Sequence, residues 1–420
     1  MRRALRGGGH SGRGGGALSV VVSALLLFSM LASLRTFSTD TGVSYVVDPP
    51  GYVNCDRTWH FGKTVVCRTT NPMGARAWAA VSVRVPPAPR YSPDGDPLIH
   101  VAVHGNSSLT GRGVVVAVVD TGIDYTHEAF EGAIVEMWSL LYRAAGGRPV
   151  RWIMGVNGTM SDLLSFDNGL KSAHGEYAFM DENGHGTHVA GVIAGRKVGP
   201  WRGMAPEAKL IVIKMFRKDG TTSYETALDA LRLVYELADE RGIRVVNLSW
   251  GASVLSDGED PLSRAASAIA RDKGAIVNVA AGNDGNRPLT LNIPAAGKRV
   301  VAVGAMDPFT RKVAEFSSWG PTADMRMKPD IVAAGVSIVG PRSSRSSLPP
   351  YGGDPKFARL SGTSMATAVA SGIAALYVEA FSLSGIGGDP TESFLAYSRT
   401  WRYNPYFKDF ITGVGLPISP

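Results

Sequence analysis

From about Leu98 onward the chain alternates short runs of Val and Ile with longer amphipathic stretches, and this alternation restricts the fold more than any other feature of the sequence. The runs Val114–Val119, Leu210–Met215, Arg244–Leu248, Ala275–Ala280 and Val300–Val303 have strand length and the composition of strands covered on both faces. Between them, Tyr224–Ala238 sets Ala227, Leu228, Leu231, Val234, Tyr235 and Ala238 on one helical face, and Pro261–Lys273 does the same with Leu262, Ala265 and Ile269. Parallel neighbours need a crossover, and a helix provides one. The expectation is an α/β fold: a doubly wound, mostly parallel sheet with helices on both faces and its site outside the carboxyl ends of the strands.

Upstream the chain reads differently. Arg2, Arg3, Arg6 and Arg13 supply more than half of the net charge of +7, and they precede Ala17–Leu34, a run without any charged residue. Such a run behind a basic flank is a membrane-targeting segment, long for a secretory signal and barely long enough to span a bilayer. Residues 1–36 are therefore read as a signal peptide or an N-terminal anchor, with membrane contact through residues 17–34. Both alternatives place the remainder outside the cytoplasm, secreted or at the cell surface. The charge left after this leader is too mild for a nucleic-acid partner.

Residues 37–96 are rich in Pro, Gly and Thr, with alternating runs such as Ala80–Val85, and are expected to form a small β-rich segment. Within it Gly62-Lys63-Thr64 mimics the end of a phosphate-binding loop, but Arg57 stands where the first glycine belongs. Cys55 and Cys67 are the only cysteines, and in an exported chain they are expected to form one local disulfide. Glutamine is absent altogether. Depletion of heat-labile amides leads to the expectation of a hot source organism.

Three segments set a reactive side chain at the edge of an expected element, in the order Asp, His, Ser. Asp120 ends the strand Val116–Val119 in the run Asp120-Thr121-Gly122; His185 opens a helix of small residues in Gly184-His185-Gly186-Thr187-His188; Ser364 stands in Gly362-Thr363-Ser364-Met365-Ala366, ahead of the apolar helix Ala368–Phe381. Singly each has a plainer reading. An Asp after a strand is often a cap, a Ser before a helix another, and His185 with His188 suggests a metal pair, although the Glu and the spacing of H-E-x-x-H are missing.

Taken together, these motifs resemble the subtilisin family, in which D-T-G, H-G-T-H and G-T-S-M-A occur in this order. Further agreement comes from Asn247-Leu248-Ser249-Trp250-Gly251, Ala281-Gly282-Asn283-Asp284-Gly285 and Ser317-Ser318-Trp319-Gly320-Pro321. The resemblance covers about residues 98–420, taken as the peptidase domain 97–420, with no large C-terminal domain expected. It implies a serine endopeptidase acting on protein or peptide substrates, with Ser364 as nucleophile, His185 as base and Asp120 orienting the ring. It also implies Asn283 as an oxyanion donor and Ser249, Trp250, Gly251 and Asn292 as substrate-binding residues. Residues 37–96 would then be an inhibitory pro-segment or a permanent module. A catalytically silent homologue and a zinc hydrolase are the competing readings.

The chain departs from the family in three places. Asp120 and His185 are 65 positions apart, which implies an insertion at about 131–182, expected to form an accessory lobe. Alanines, Ala334 and Ala368, replace two usual prolines. The loop Ala194–Gly203, where relatives hold calcium, carries Arg196, Lys197 and Arg202 and no Asp, Glu or Asn. No metal is expected there and no cofactor is required, with weak calcium sites left to other parts of the chain.

Overall fold

The computed structural model describes residues 43–85, 109–384 and 388–398. The leader expected at 1–36 and the boundary expected near 96 lie outside them. The described residues from Ser44 onward belong to one compact unit.

Alternation at the N-terminus builds a four-stranded antiparallel sheet from β1 (Ser44–Val47), β2 (Arg57–Phe61), β3 (Thr64–Thr69) and β4 (Ala77–Ala79), in the order β2-β3-β1-β4. Cys55 and Cys67 are joined, tying the loop before β2 to β3. The run expected over Ala80–Val85 is interrupted, and only Val83–Arg84 forms a strand, β5, which leaves this sheet to pair elsewhere.

The alternating Val- and Ile-rich runs then produce the main sheet. Its strands are β6 (Val115–Asp120), β7 (Ile134–Arg143), β8 (Pro149–Ile153), β9 (Lys209–Lys214), β11 (Ile243–Leu248), β12 (Ile276–Ala280), β13 (Val301–Met306) and β14 (Ile331–Ala334), ordered β14-β13-β12-β11-β6-β9-β7-β8. All neighbours are parallel except β7 and β8. Two residues, Thr221–Thr222, form β10, the partner of β5. Two further strands, β15 (Ile338–Pro341) and β16 (Phe357–Leu360), form a separate ribbon.

The sheet is covered on both faces. Helices α3 (Tyr224–Glu240) and α4 (Pro261–Lys273) pack together on one side, capped by Ser223 and Asp260 at their first turns. On the other side α2 (His185–Ala194) lies against α5 (Thr363–Ser384), which spreads over β11 to β14. Every residue of α2 is buried, so its small side chains let two helices and a sheet meet without voids. α5 starts at Thr363, five residues before the start expected from its apolar run, because the G-T-S-M-A motif is itself helical. The expected insertion does not stand apart. β7 and β8 extend the main sheet, and α1 (Met160–His174), closed by a Thr159–Asp162 capping box, packs beside them.

The N-terminal sheet forms a further layer over α3 and α4. Tyr45 meets Tyr224 at 4.7 Å between ring centroids with the planes tilted by 46°, and Phe61 meets Tyr235 edge-on. Around these rings, Arg57 pairs with Glu225 and Asp229, Arg68 with Glu225, and Arg264 with Asp48. Asp229 also accepts the Trp59 indole N–H and an Arg143 guanidinium.

Candidate active site

The fold carries Asp120 to the carboxyl edge of the sheet as the last residue of β6, between β9 and β11. A buried carboxylate is costly unless donors meet it. Here the Thr121 N–H (2.7 Å) and the His185 ring Nδ1 (2.8 Å) both reach Oδ1. An ionised carboxylate only accepts, so Nδ1 carries the hydrogen and Nε2 is the basic atom. Nε2 is buried and has no hydrogen-bond partner among the described residues. The close approach of α2 to β6 explains the glycine after His185: a Cβ on Gly186 would lie 2.3 Å from the Gly122 carbonyl oxygen.

Ser364 stands in the first turn of α5, buried, with its hydroxyl donating to the Ser249 carbonyl at 2.9 Å. Behind it runs a buried polar chain. Ser249 Oγ donates to the Ser364 carbonyl (3.0 Å), Asn247 Nδ2 to Ser249 Oγ (2.9 Å), Ser371 Oγ to Asn247 Oδ1 (2.9 Å) and Asn278 Nδ2 to Ser371 Oγ (3.2 Å). These bonds tie α5 to β11 and β12 and so fix the Ser364 backbone.

Asn283 is oriented by its neighbour. Its Oδ1 accepts the Thr363 N–H and hydroxyl, both at 2.9 Å, and a Cβ on Gly362 would lie 3.3 Å from its Nδ2. The amide therefore offers its NH2 beside the first turn of α5, where backbone N–H groups and the helix dipole favour negative charge.

Gly251 already pairs with an extended backbone, and that backbone is the protein's own. Arg84 and Gly251 exchange both N–H···O bonds at 3.2 Å, and Val85 N–H donates to Gly220 at 3.1 Å. β5 thus lies between β10 and Gly251, with Val83 wholly buried. Asn292 packs its side chain against Gly251 and Gly282. Trp250 is different: its ring is fully buried near Phe216, so only its backbone is available to a substrate.

The structure thus joins Asp120 to His185, Ser364 to Ser249, and Asn283 to Thr363. Asn247 stands in a motif the sequence shows but without a role there, whereas Asn278, Ser371 and Asp181, which accepts five hydrogen bonds, carry no sequence signal.

The family model for the subtilases, peptidase S8, matches residues 111–386. This chain belongs to the subtilase family. It is 34% identical over 296 residues to serine protease AprX of Bacillus subtilis, covering 66% of this chain and 59% of AprX. The major intracellular serine protease of the same organism is 31% identical over 289 residues, covering 68% of this chain and 74% of that one. Among solved structures, Sphericase superposes with a TM-score of 0.58 at 22% identity, covering 75% of this chain and 94% of that one, which shows the shared fold.

Two features bear on metals in this subtilase. His188 turns Nε2 to the Ile338 carbonyl (3.1 Å), and burial drives its pKa down to about 3, so the ring is neutral with Nε2 taken by the protein. Arg196 extends its guanidinium into the framework around the 194–203 loop and donates to the carbonyls of Ala194, Pro206, Ala208 and Gly132. Trp201 packs against Phe357 and donates to Val339 at 3.0 Å. A donor set of three cationic side chains, one already holding four carbonyls, does not fit a dication.

Proposed function

We propose that this subtilase is a serine endopeptidase using Ser364, His185 and Asp120. The observation that carries the reading is the buried Asp120–His185 pair at the end of β6, with Nε2 as the basic atom, while Ser364 is hydrogen-bonded to Ser249 just past the end of the neighbouring strand β11. Substrate would lie where β5 lies, paired to Gly251. In that antiparallel register the residue two positions beyond the Gly251 partner faces Ser249, and its N–H claims the Ser249 carbonyl. The Ser364 hydroxyl is then released to His185, which takes its proton as Oγ attacks the carbonyl carbon. The oxyanion that forms is met by the Asn283 amide and the Ser364 backbone N–H. His185 returns the proton to the leaving amine, and water repeats the sequence on the acyl-enzyme. Asn292 and the Trp250 backbone form walls of the substrate cleft.

Residues 37–96, of which 43–85 are described, act as an inhibitory pro-segment in this reading. Their sheet docks on α3 and α4 through aromatic and ionic contacts, and β5 fills the cleft as a substrate strand would. The apolar leader supports export or anchoring. Among the described residues the helix long and apolar enough to cross a membrane is Thr363–Ser382, which is 72% buried and carries Ser364, so it serves the core. The missing glutamine and the Arg57–Glu225–Arg68 and Arg57–Asp229–Arg143 ion clusters support a warm working temperature.

N-terminal sequencing and intact mass of the purified protein, beside its Ser364→Ala variant, test this. The reading expects wild type to lose leader and pro-segment and the variant to keep the pro-segment. A variant processed identically would contradict self-processing. Inhibition by a chelator with indifference to phenylmethylsulfonyl fluoride would favour the zinc reading instead.

A further inference from the structure

Behind the Asp120–His185 pair lies a second buried carboxylate that the mechanism above does not use. Asp181 has no exposed surface. Its Oδ1 accepts the Thr121 hydroxyl (2.9 Å) and the N–H groups of Asn183 (3.0 Å) and Gly184 (2.8 Å). Its Oδ2 accepts the Thr187 N–H and hydroxyl, both at 2.8 Å. A carboxylate offers about four lone-pair directions, so this one is saturated by protein donors.

The positions of those donors give the cluster its meaning. Thr121 follows Asp120, and its hydroxyl oxygen also accepts the Gly186 N–H at 2.8 Å. Gly184 precedes His185, and Thr187 lies two residues after it. Asp181 therefore ties the end of β6 to the first turn of α2 on both sides of His185, where no side chain of the cap residue Gly184 could do so. The buried Lys214 ammonium, bonded to the Met180 carbonyl at 2.7 Å, supplies compensating charge: burial pulls its pKa down while Asp181 is foremost among the carboxylates pushing it up.

We propose that Asp181 is a positioning residue for acyl transfer, fixing the distance and angle between Asp120 and the His185 ring. The proposal rests on the Asp120–His185–Ser364 reading. Misplacing a reacting group by about 1 Å costs about a hundredfold in rate, so loss of this tie is felt in turnover, whereas substrate pairing at Gly251 is untouched.

The test uses Asp181→Asn, which keeps the size of the side chain but turns one acceptor into a donor facing other donors. Thr121→Val, which deletes the bridging hydroxyl, is the companion variant. For the full chain and both variants, three quantities are read: the site and rate of modification by a fluorophosphonate, kcat and KM on a peptide substrate, and the proton resonance of the His185 Nδ1–H. Asp181→Asn is expected to lower kcat and the modification rate by roughly tenfold or more, to leave KM within about twofold, and to shift the Nδ1–H resonance. Thr121→Val should move the same readouts in the same direction. A variant that loses thermal stability yet keeps wild-type kcat and an unmoved resonance shows a merely structural carboxylate and overturns the proposal. If Asp181→Asn does not fold, Thr121→Val decides by the same readouts. Wild type that takes no label at Ser364 contradicts the triad reading itself, a failure seen before any variant is compared.

Discussion

At the scale of single residues, the side chains that matter most have one polar group spent and another left free. Asn283 has its carbonyl oxygen held by Thr363, so only its NH2 is left to meet an oxyanion. Asn283→Ala should therefore lower kcat by about 100- to 1,000-fold with little change in KM, a magnitude taken from the subtilisin family itself rather than worked out from this chain. Steady-state kinetics on a peptide substrate checks this, and equal effects on kcat and KM would remove Asn283 from the oxyanion site. His185 is divided in the same way, with Nδ1 spent on Asp120 and Nε2 left free.

At the scale of elements, the 194–203 loop is held by its own cation. Arg196→Ala leaves four carbonyls without that donor, at a cost of about 1 to 3 kcal/mol, and should lower the melting temperature by several degrees. Calorimetry with and without added calcium checks it. No recovery with calcium is expected, and stoichiometric calcium bound at this loop in the wild type would contradict the assignment. The insertion carries its own prediction. Asp167 on α1 is buried and accepts the N–H groups of Ala178 (2.5 Å) and Met180 (2.8 Å) and the Tyr125 hydroxyl (3.1 Å). Asp167→Ala should increase hydrogen exchange at 178–180 and lower stability, and unchanged exchange there would show the loop to be held by other contacts. Much of this scale was legible in the sequence. The strand runs fall within a few residues of β6, β9, β11, β12 and β13, because a strand buried on both faces must be apolar throughout. The helix Pro261–Lys273 agrees end to end, since an Asp cap, an N1 proline and a C-terminal glycine mark it. The fate of 131–182 was not legible: joining a sheet edge depends on a long-range partner, β9, that local pattern cannot name. The motifs single out Asp120, His185 and Ser364 as candidates, whereas the polar chain through Asn278 and Ser371 exists only once β12 and α5 are packed together.

At the scale of the whole molecule, the N-terminal sheet and the body it packs on are one object, and Gly251 is paired with the chain's own strand. Arg84→Pro removes the N–H that pairs with Gly251 and should loosen β5, so chain isolated before it loses the pro-segment should hydrolyse a small ester faster than equally unprocessed wild type at equal concentration. A rate equal to wild type would mean that β5 does not block the site. The claim beneath all of these is that one serine does the chemistry. Modification by a fluorophosphonate, located by peptide mass mapping and quantified against loss of peptidase activity, tests it most directly. The account predicts one adduct per active molecule, on Ser364, lost in Ser364→Ala and greatly slowed in His185→Ala. Hydrolysis by Ser364→Ala at near the wild-type rate, or a stoichiometric adduct on another residue, would contradict it.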